Sequence, residues 1–196
     1  PPGRCYGVLC HPRWFPQGKI FVEQARRQGA WFDMEKPFWW EAPVMMALAR
    51  PDSWGIVNNH FDQYGIHAAE AWGRARDQQK FPGAEGFVAY CLDLYYKYLN
   101  LGFKLPASAG SASGVLPNPV GQNRVYAYLP SGAAPEPPKF YAAVRQGRTF
   151  ATNGPMLLLR AHGRRPGDTM ELRKGEALPI EVEALAREPI DRVELI

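Results

Sequence analysis

Four short apolar runs, each ending in polar residues, mark the first 110 positions of the chain. CYGVLC runs into His11-Pro12, AWFDME into Lys36-Pro37, WGIVNN into His60-Phe61-Asp62, and FKLPASAG into Ser111-Ala112-Ser113. Runs this short and this apolar predict strands buried on both faces. Between them the period changes to that of a helix. KIFVEQARRQG places Ile20, Phe21, Gln24, Ala25 and Gln28 at helical steps and ends on Gly29. APVMMALAR predicts a shorter helix that stops before Pro51. AEGFVAYCLDLYYKYLNLG carries the clearest stripe, Phe87, Tyr90, Cys91, Leu94, Tyr95, Tyr98 and Leu99, and ends at Gly102. PPKFYAAVRQG opens on proline and closes on Gly147. Strand–helix alternation predicts an α/β fold with a mainly parallel sheet and its helices outside. A complete eight-unit barrel needs about 250 residues, so the expectation over 1–150 is a partial (βα) barrel.

The pattern changes after Phe150. Turns are expected at His162-Gly163 and Pro166-Gly167-Asp168, while LPIEVEAL and DRVELI alternate as strands do. Residues 151–196 therefore predict an antiparallel β-rich segment, the opening of a small appended domain. The proline-rich SGAAPEPPK reads as a surface loop. The chain starts at PPGRCYGV without a methionine and stops inside an alternating pattern, so a segment of a longer polypeptide is expected. The remainder of that polypeptide is then its first expected partner.

Composition narrows the classes of function. Hydrophobic residues make up 46% and charged residues 21% of the 196, which is ordinary for a globular protein. No apolar run approaches the roughly 18 residues of a membrane span, and no membrane partner is expected. The formal charge of +4 is scattered over short arginine clusters separated by acids. Nucleic-acid binders gather their charge on one face, so no nucleic-acid partner is expected either. Cys5, Cys10 and Cys91 have no metal-type spacing. Cys91 falls on the apolar stripe of the long helix and reads as core. Cys5 and Cys10 lie along one strand pattern, which disfavours a disulfide between them.

In parallel α/β folds the functional side chains collect where strands end and loops begin. Here those ends supply His11, Asp33, Glu35, Lys36, Asn58, Asn59, His60, Asp62 and Ser111. Imidazoles and carboxylates from separate strands can converge on one metal ion or one water, which hydrolysis requires. Each residue also has a plainer use. His11 can cap its strand, and Glu35-Lys36 can form a local ion pair at a loop mouth. His67 and His162 read as surface. Phe38, Trp39 and Trp40 can stack on a flat or sugar-like ligand or fill the core. Arg124 and Arg148 each follow a loop and precede a strand, where a guanidinium anchors carbonyls or meets a ligand. The small-residue loop around Gly110 and Gly114 admits a close backbone approach to a ligand, yet it matches no phosphate-loop pattern.

Four stretches, LPASAGSASGVLPNPVGQNRVY, DMEKPFWWEAPV, VNNHF and AVRQGRTFATNGPMLLL, taken in order, resemble a branch of the polymerase-and-histidinol-phosphatase (PHP) superfamily, the carbaryl-hydrolase-like metallohydrolases. The resemblance spans nearly the whole chain. It implies a distorted (βα) barrel with divalent metal, zinc or manganese, at the strand carboxyl ends, hydrolysing ester or phosphoester bonds of a small-molecule substrate. It also implies a metal-binding His-x-His upstream of Pro1 and, because relatives with this loop variant are often exported, an extracytoplasmic setting. On this reading His11, Glu35 and His60 are the metal ligands, and His60, Asp62 and Lys36 the catalytic groups. Trp39, Trp40, Asn59, Ser111, Ser113 and Arg124 line the ligand.

The sequence departs from the family pattern in its last barrel loop. Where the family carries Gly-Ser-Asp-x-His, this chain reads Gly110-Ser111-Ala112-Ser113-Gly114, with Ala112 at the aspartate and Gly114 at the histidine. Lys36-Pro37 stands where a His-Pro strand end is common. Three functions follow as expectations: a hydrolase with an altered metal site, a non-catalytic module on the same fold that binds a carbohydrate or an anion with Lys36 in place of a metal, or a purely structural domain of a larger secreted protein.

Overall fold

The computed structural model describes residues 18–70 and 73–195. The first expected strand, with Cys5, Cys10 and His11, lies outside the described residues. In chain order the elements are α1 (Lys19–Arg27), β1 (Asp33–Met34), α2 (Ala42–Leu48), β2 (Ser53–Val57), β3 (Phe61–Asp62), β4 (Gly65–Ile66), α3 (Gly83–Asn100), β5 (Ala107–Ala109), β6 (Arg124–Ala127), α4 (Pro137–Arg145), β7 (Thr149–Thr152), β8 (Met156–Ala161) and β9 (Ile180–Leu185). The fold is mixed α/β.

β1, β2 and β5 form a parallel sheet in that order, with α2 and α3 as the crossovers. Alternate residues of a strand point to opposite faces, and the sequence loads the two faces differently. One face carries Met34 and Trp54. It is covered by Val22 of α1, by Met45 and Met46 of α2, and by Tyr95 and Tyr98 of α3. The Trp54 and Tyr98 rings lie 4.8 Å apart. The opposite face is polar: the Ser53 and Ser108 hydroxyls both donate to Asp33 Oδ1.

A second apolar cluster sits beyond the ends of β2. Phe87, Tyr90 and Cys91 of α3 meet Phe38 and Phe61 there. Phe87 is fully buried and packs edge-on to Phe38 at 5.3 Å. The helical stripe read from the sequence thus faces the core from Phe87 to Tyr98, while Leu99 at its end is exposed. Burial pushes the Cys91 thiol up to about 12, which makes it an inert packing residue rather than a nucleophile.

The other strands pair in antiparallel twos: β3 with β4, β6 with β7, and β8 with β9. The β6–β7 ribbon stacks Tyr126 on Phe150 at 5.2 Å and lies against β5. Its second strand spans position 150, where the sequence pattern had changed. Among the described residues no barrel closes: the parallel sheet has three strands and two open edges. The expected strand at DRVELI does not form across 191–195. Alternation alone makes no strand, because the backbone groups need a partner ladder. The β-rich expectation is met by β8 and β9, which pair from Met156 with Leu185 to Ala161 with Ile180. Among the described residues no helix is long and apolar enough to cross a membrane.

Candidate functional site

Parallel strands bring their carboxyl ends to one edge, so the segments after β1, β2 and β5 meet there. Glu35 and Lys36 follow β1, Asn58, Asn59 and His60 follow β2, and Gly110 and Ser111 follow β5. Gly55 of β2 permits this meeting. A Cβ at Gly55 would stand 2.6 Å from the Glu35 carbonyl oxygen, so only glycine lets β1's continuation cross over β2. Gly110 leaves similar room, since a Cβ there would lie 3.7 Å from Glu35 Oε1.

Lys36 is the centre of the cluster. Its Nζ lies 2.8 Å from Glu35 Oε1 and also donates to Asn59 Oδ1. The lysine side chain is 10% exposed and the glutamate 43%, so the ammonium is enclosed while its counter-charge still meets solvent. That arrangement keeps a buried cation tolerable.

His60 stands beside this pair. Its ring lies near-parallel to Phe87 at 5.1 Å and edge-on to Phe38 at 5.2 Å. Nδ1 is 2.7 Å from the His67 carbonyl oxygen. A carbonyl only accepts, so Nδ1 carries the proton and Nε2 keeps a free lone pair. Burial holds the imidazole below its ordinary value of 6.5, and the Lys36 charge acts in the same direction against the His67 hydrogen bond. The sign of the pH effect follows. Below the ordinary value the unfolded chain takes up a proton that the folded chain refuses, so stability falls with acidification until the lowered value is passed. The urea midpoint of the wild-type protein is expected to drop more between pH 7 and pH 5 than that of His60→Gln. Equal drops would show that His60 carries no such linkage.

The remaining expected site residues divide. Asn59 joins Lys36. Trp39 and Trp40 lie on the turn after β1, and Trp40 is 66% exposed, whereas Phe38 beside them is core. Asp62 is buried in the β3–β4 hairpin, where Oδ1 accepts the Tyr64 N–H and Oδ2 lies 3.7 Å from His67 Nε2. Its oxygens thus face the hairpin rather than an open water site. Ser111 is buried, and its hydroxyl accepts the Asn123 N–H at 2.8 Å and donates to the Asn123 carbonyl. Ser113 makes an isolated bridge with Leu116 in the loop beyond. Arg124 donates to the carbonyls of Gly121, Gln122 and Gly154 and to the Tyr126 hydroxyl. Of the two uses its position allowed, carbonyl anchoring is the one its contacts display. His11 lies outside the described residues.

Residues that sequence reasoning passed over hold the site together. The Asn123 side-chain amide donates to the carbonyls of Asn58, Phe61 and Gly110, at 2.9, 3.0 and 3.1 Å. Asn118 donates to Ser111 and accepts the Gln63 N–H. These asparagines fix the small-residue loop to the end of β2. Their signal in the sequence was polar residues beside prolines in PNPVGQN, a run that otherwise reads as turn chemistry.

A divalent metal does not fit the described donor set. Among the described residues no group of three or more His, Cys, Asp or Glu is placed to hold an ion. At the strand ends Glu35 already binds an ammonium, whose charge repels a dication.

The fold and this edge define a mixed α/β protein with a lysine-centred polar cluster at the carboxyl ends of a parallel sheet. No protein-family model, no curated protein and no solved structure matches the chain.

Proposed function

We propose that the chain is a PHP-like domain in which a lysine-centred ligand site replaces the metal centre, and that this site binds a neutral, polyhydroxylated small molecule. The Lys36–Glu35 ion pair at the strand ends carries the reading. Its charges offset each other, so the cluster offers donors and acceptors without a net field for phosphate or carboxylate. Asn59 and the free lone pair of His60 Nε2 extend that mixed set, which suits hydroxyl groups that both donate and accept. The exposed Trp40, on the turn that follows Lys36, supplies the kind of flat apolar surface on which sugar rings stack.

Two features favour the PHP-like architecture. The order β1, α2, β2, α3, β5 with parallel pairing suits a portion of a (βα) barrel. Ala112, at the family's aspartate position, has φ of 49°, a left-handed conformation in which aspartate and asparagine are favoured over alanine. A loop shaped for aspartate but holding alanine is what an exchanged metal ligand would leave.

The test combines elemental analysis with calorimetric titration of methyl glycosides. Metal-free protein that binds a methyl glycoside, and loses about tenfold or more of that affinity on Lys36→Met, is the expected result, since hydrogen bonds from a charged donor contribute about 1.5–3 kcal/mol. The second reading, a metal-dependent hydrolase of ester or phosphoester bonds, is favoured by one observation, the proton-free Nε2 of His60. Stoichiometric zinc or manganese together with turnover of an ester and phosphoester panel would establish it and overturn the first.

A further inference from the structure

At the opposite pole of the sheet, before β1 and β5 begin, two clefts of about 590 and 570 Å³ adjoin and share Arg145 and Gln146. Both volumes lie in the range of small-molecule sites. In the first cleft Trp31 presents its indole, whose N–H donates to Ser53 Oγ at 2.7 Å. Ser53 is tied in turn to Asp33, so the ring is held by its polar edge. The Arg145 guanidinium lies over that face, 5.6 Å from the ring. Tyr141, one helical turn before Arg145 on α4, is exposed along the same wall.

The charges around these clefts are unbalanced. The first cleft has no acidic lining residue. The second adds Lys104, and its one acid, Asp168, lies 3.9 Å from the guanidinium of Arg148. Among the described residues neither Arg145 nor Lys104 has a carboxylate within ion-pair distance.

We infer that these joined clefts form a binding site for a small aromatic anion, its ring against Trp31 and Tyr141 and its phosphate or carboxylate on Arg145 and Lys104. A planar guanidinium already resting on an indole is suited to both parts of such a ligand: it forks onto two oxygens while the ring packs beside it. Either anionic group suits the fork, and paired probes distinguish them. This site is separate from the Lys36 cluster and does not depend on its function.

Phenyl phosphate and benzoate are titrated calorimetrically into the protein, with inorganic phosphate and benzyl alcohol as the two half-ligands. The expected result is saturable binding of at least one aromatic anion, with each half-ligand at least about tenfold weaker. Arg145→Gln is expected to weaken the aromatic anion by about tenfold or more, within the effect of losing charge-assisted hydrogen bonds. Tyr141→Ala should weaken it severalfold. Arg160→Gln, which removes the same charge from β8, should leave it unchanged. Unfolding midpoints of the variants verify that each is folded. The proposal is overturned if neither aromatic anion binds at millimolar concentration, if benzyl alcohol or inorganic phosphate binds as well as the whole ligand, or if the Arg145 and Arg160 variants behave alike.

Discussion

Replacing Arg76 by methionine is expected to lower the thermal unfolding midpoint by roughly 6–20 °C. Removing one partner of a buried ion pair costs about 3–5 kcal/mol, and a chain of this size loses about 2–4 °C per kcal/mol. The Arg76 side chain is 4% exposed and its partner Glu70 12%, so neither charge can return to water without unfolding. The guanidinium also donates to the carbonyls of Ala68, Phe81 and Gly83 and lies over the Phe87 ring at 5.7 Å. It thereby ties the chain after β4 to the start of α3, around the phenylalanine that supports His60. The double variant Arg76→Met, Glu70→Leu separates the two contributions. Removing both charges should recover the part due to the stranded carboxylate and leave the loss of the three carbonyl contacts. A double variant no more stable than the single would show that the ion pair contributes little and that carbonyl anchoring dominates. Differential scanning calorimetry reads both.

The helices were legible because each ends at a residue with a physical reason to stop it. Gly102 is the plainest case: it takes φ of 87° after α3, and its N–H bonds back to the Leu99 carbonyl. The gathering of Glu35, Lys36, Asn59 and His60 at one edge was also legible, since parallel strands leave no other place for residues that follow them. What could not be read was set by contacts between distant segments. Phe38, Trp39 and Trp40 are adjacent and chemically alike, yet Phe38 is core and Trp40 faces solvent. Periodicity carries no information across a turn. The β6–β7 pairing joins Arg124 to Thr152 across α4, and nothing local to either strand announces it. At Ile180–Leu185 and at DRVELI the alternation is similar, but only the first meets a partner ladder. Arg124 and Ser111 anchor backbone, a use no local pattern assigns, because a loop of small residues has few side chains of its own to brace it.

That bracing sets the second large effect. Asn123→Ala is expected to destabilise the protein by about 3 kcal/mol, since a buried carbonyl left without its donor costs about 1–3 kcal/mol and the amide serves the carbonyls of Phe61 and Gly110 as well as that of Asn58, which keeps the Phe61 N–H. The urea midpoint should fall accordingly. Methyl glycoside binding should weaken in the same variant, because Asn58 and Gly110 hold the chain on either side of Glu35 and Asn59. Asn123→Asp is the sharper variant. It keeps the shape but turns a donor that faces three carbonyl oxygens into an acceptor that repels them, so it should be less stable than alanine at pH 7. Acidification gives the aspartate a proton to donate, and the gap between the two variants should then narrow. An aspartate variant as stable as wild type at neutral pH would mean that these carbonyls do not depend on the Asn123 amide for a donor. The small-residue loop would then need another anchor, and the placement of Gly110 against Glu35 would lose its cause.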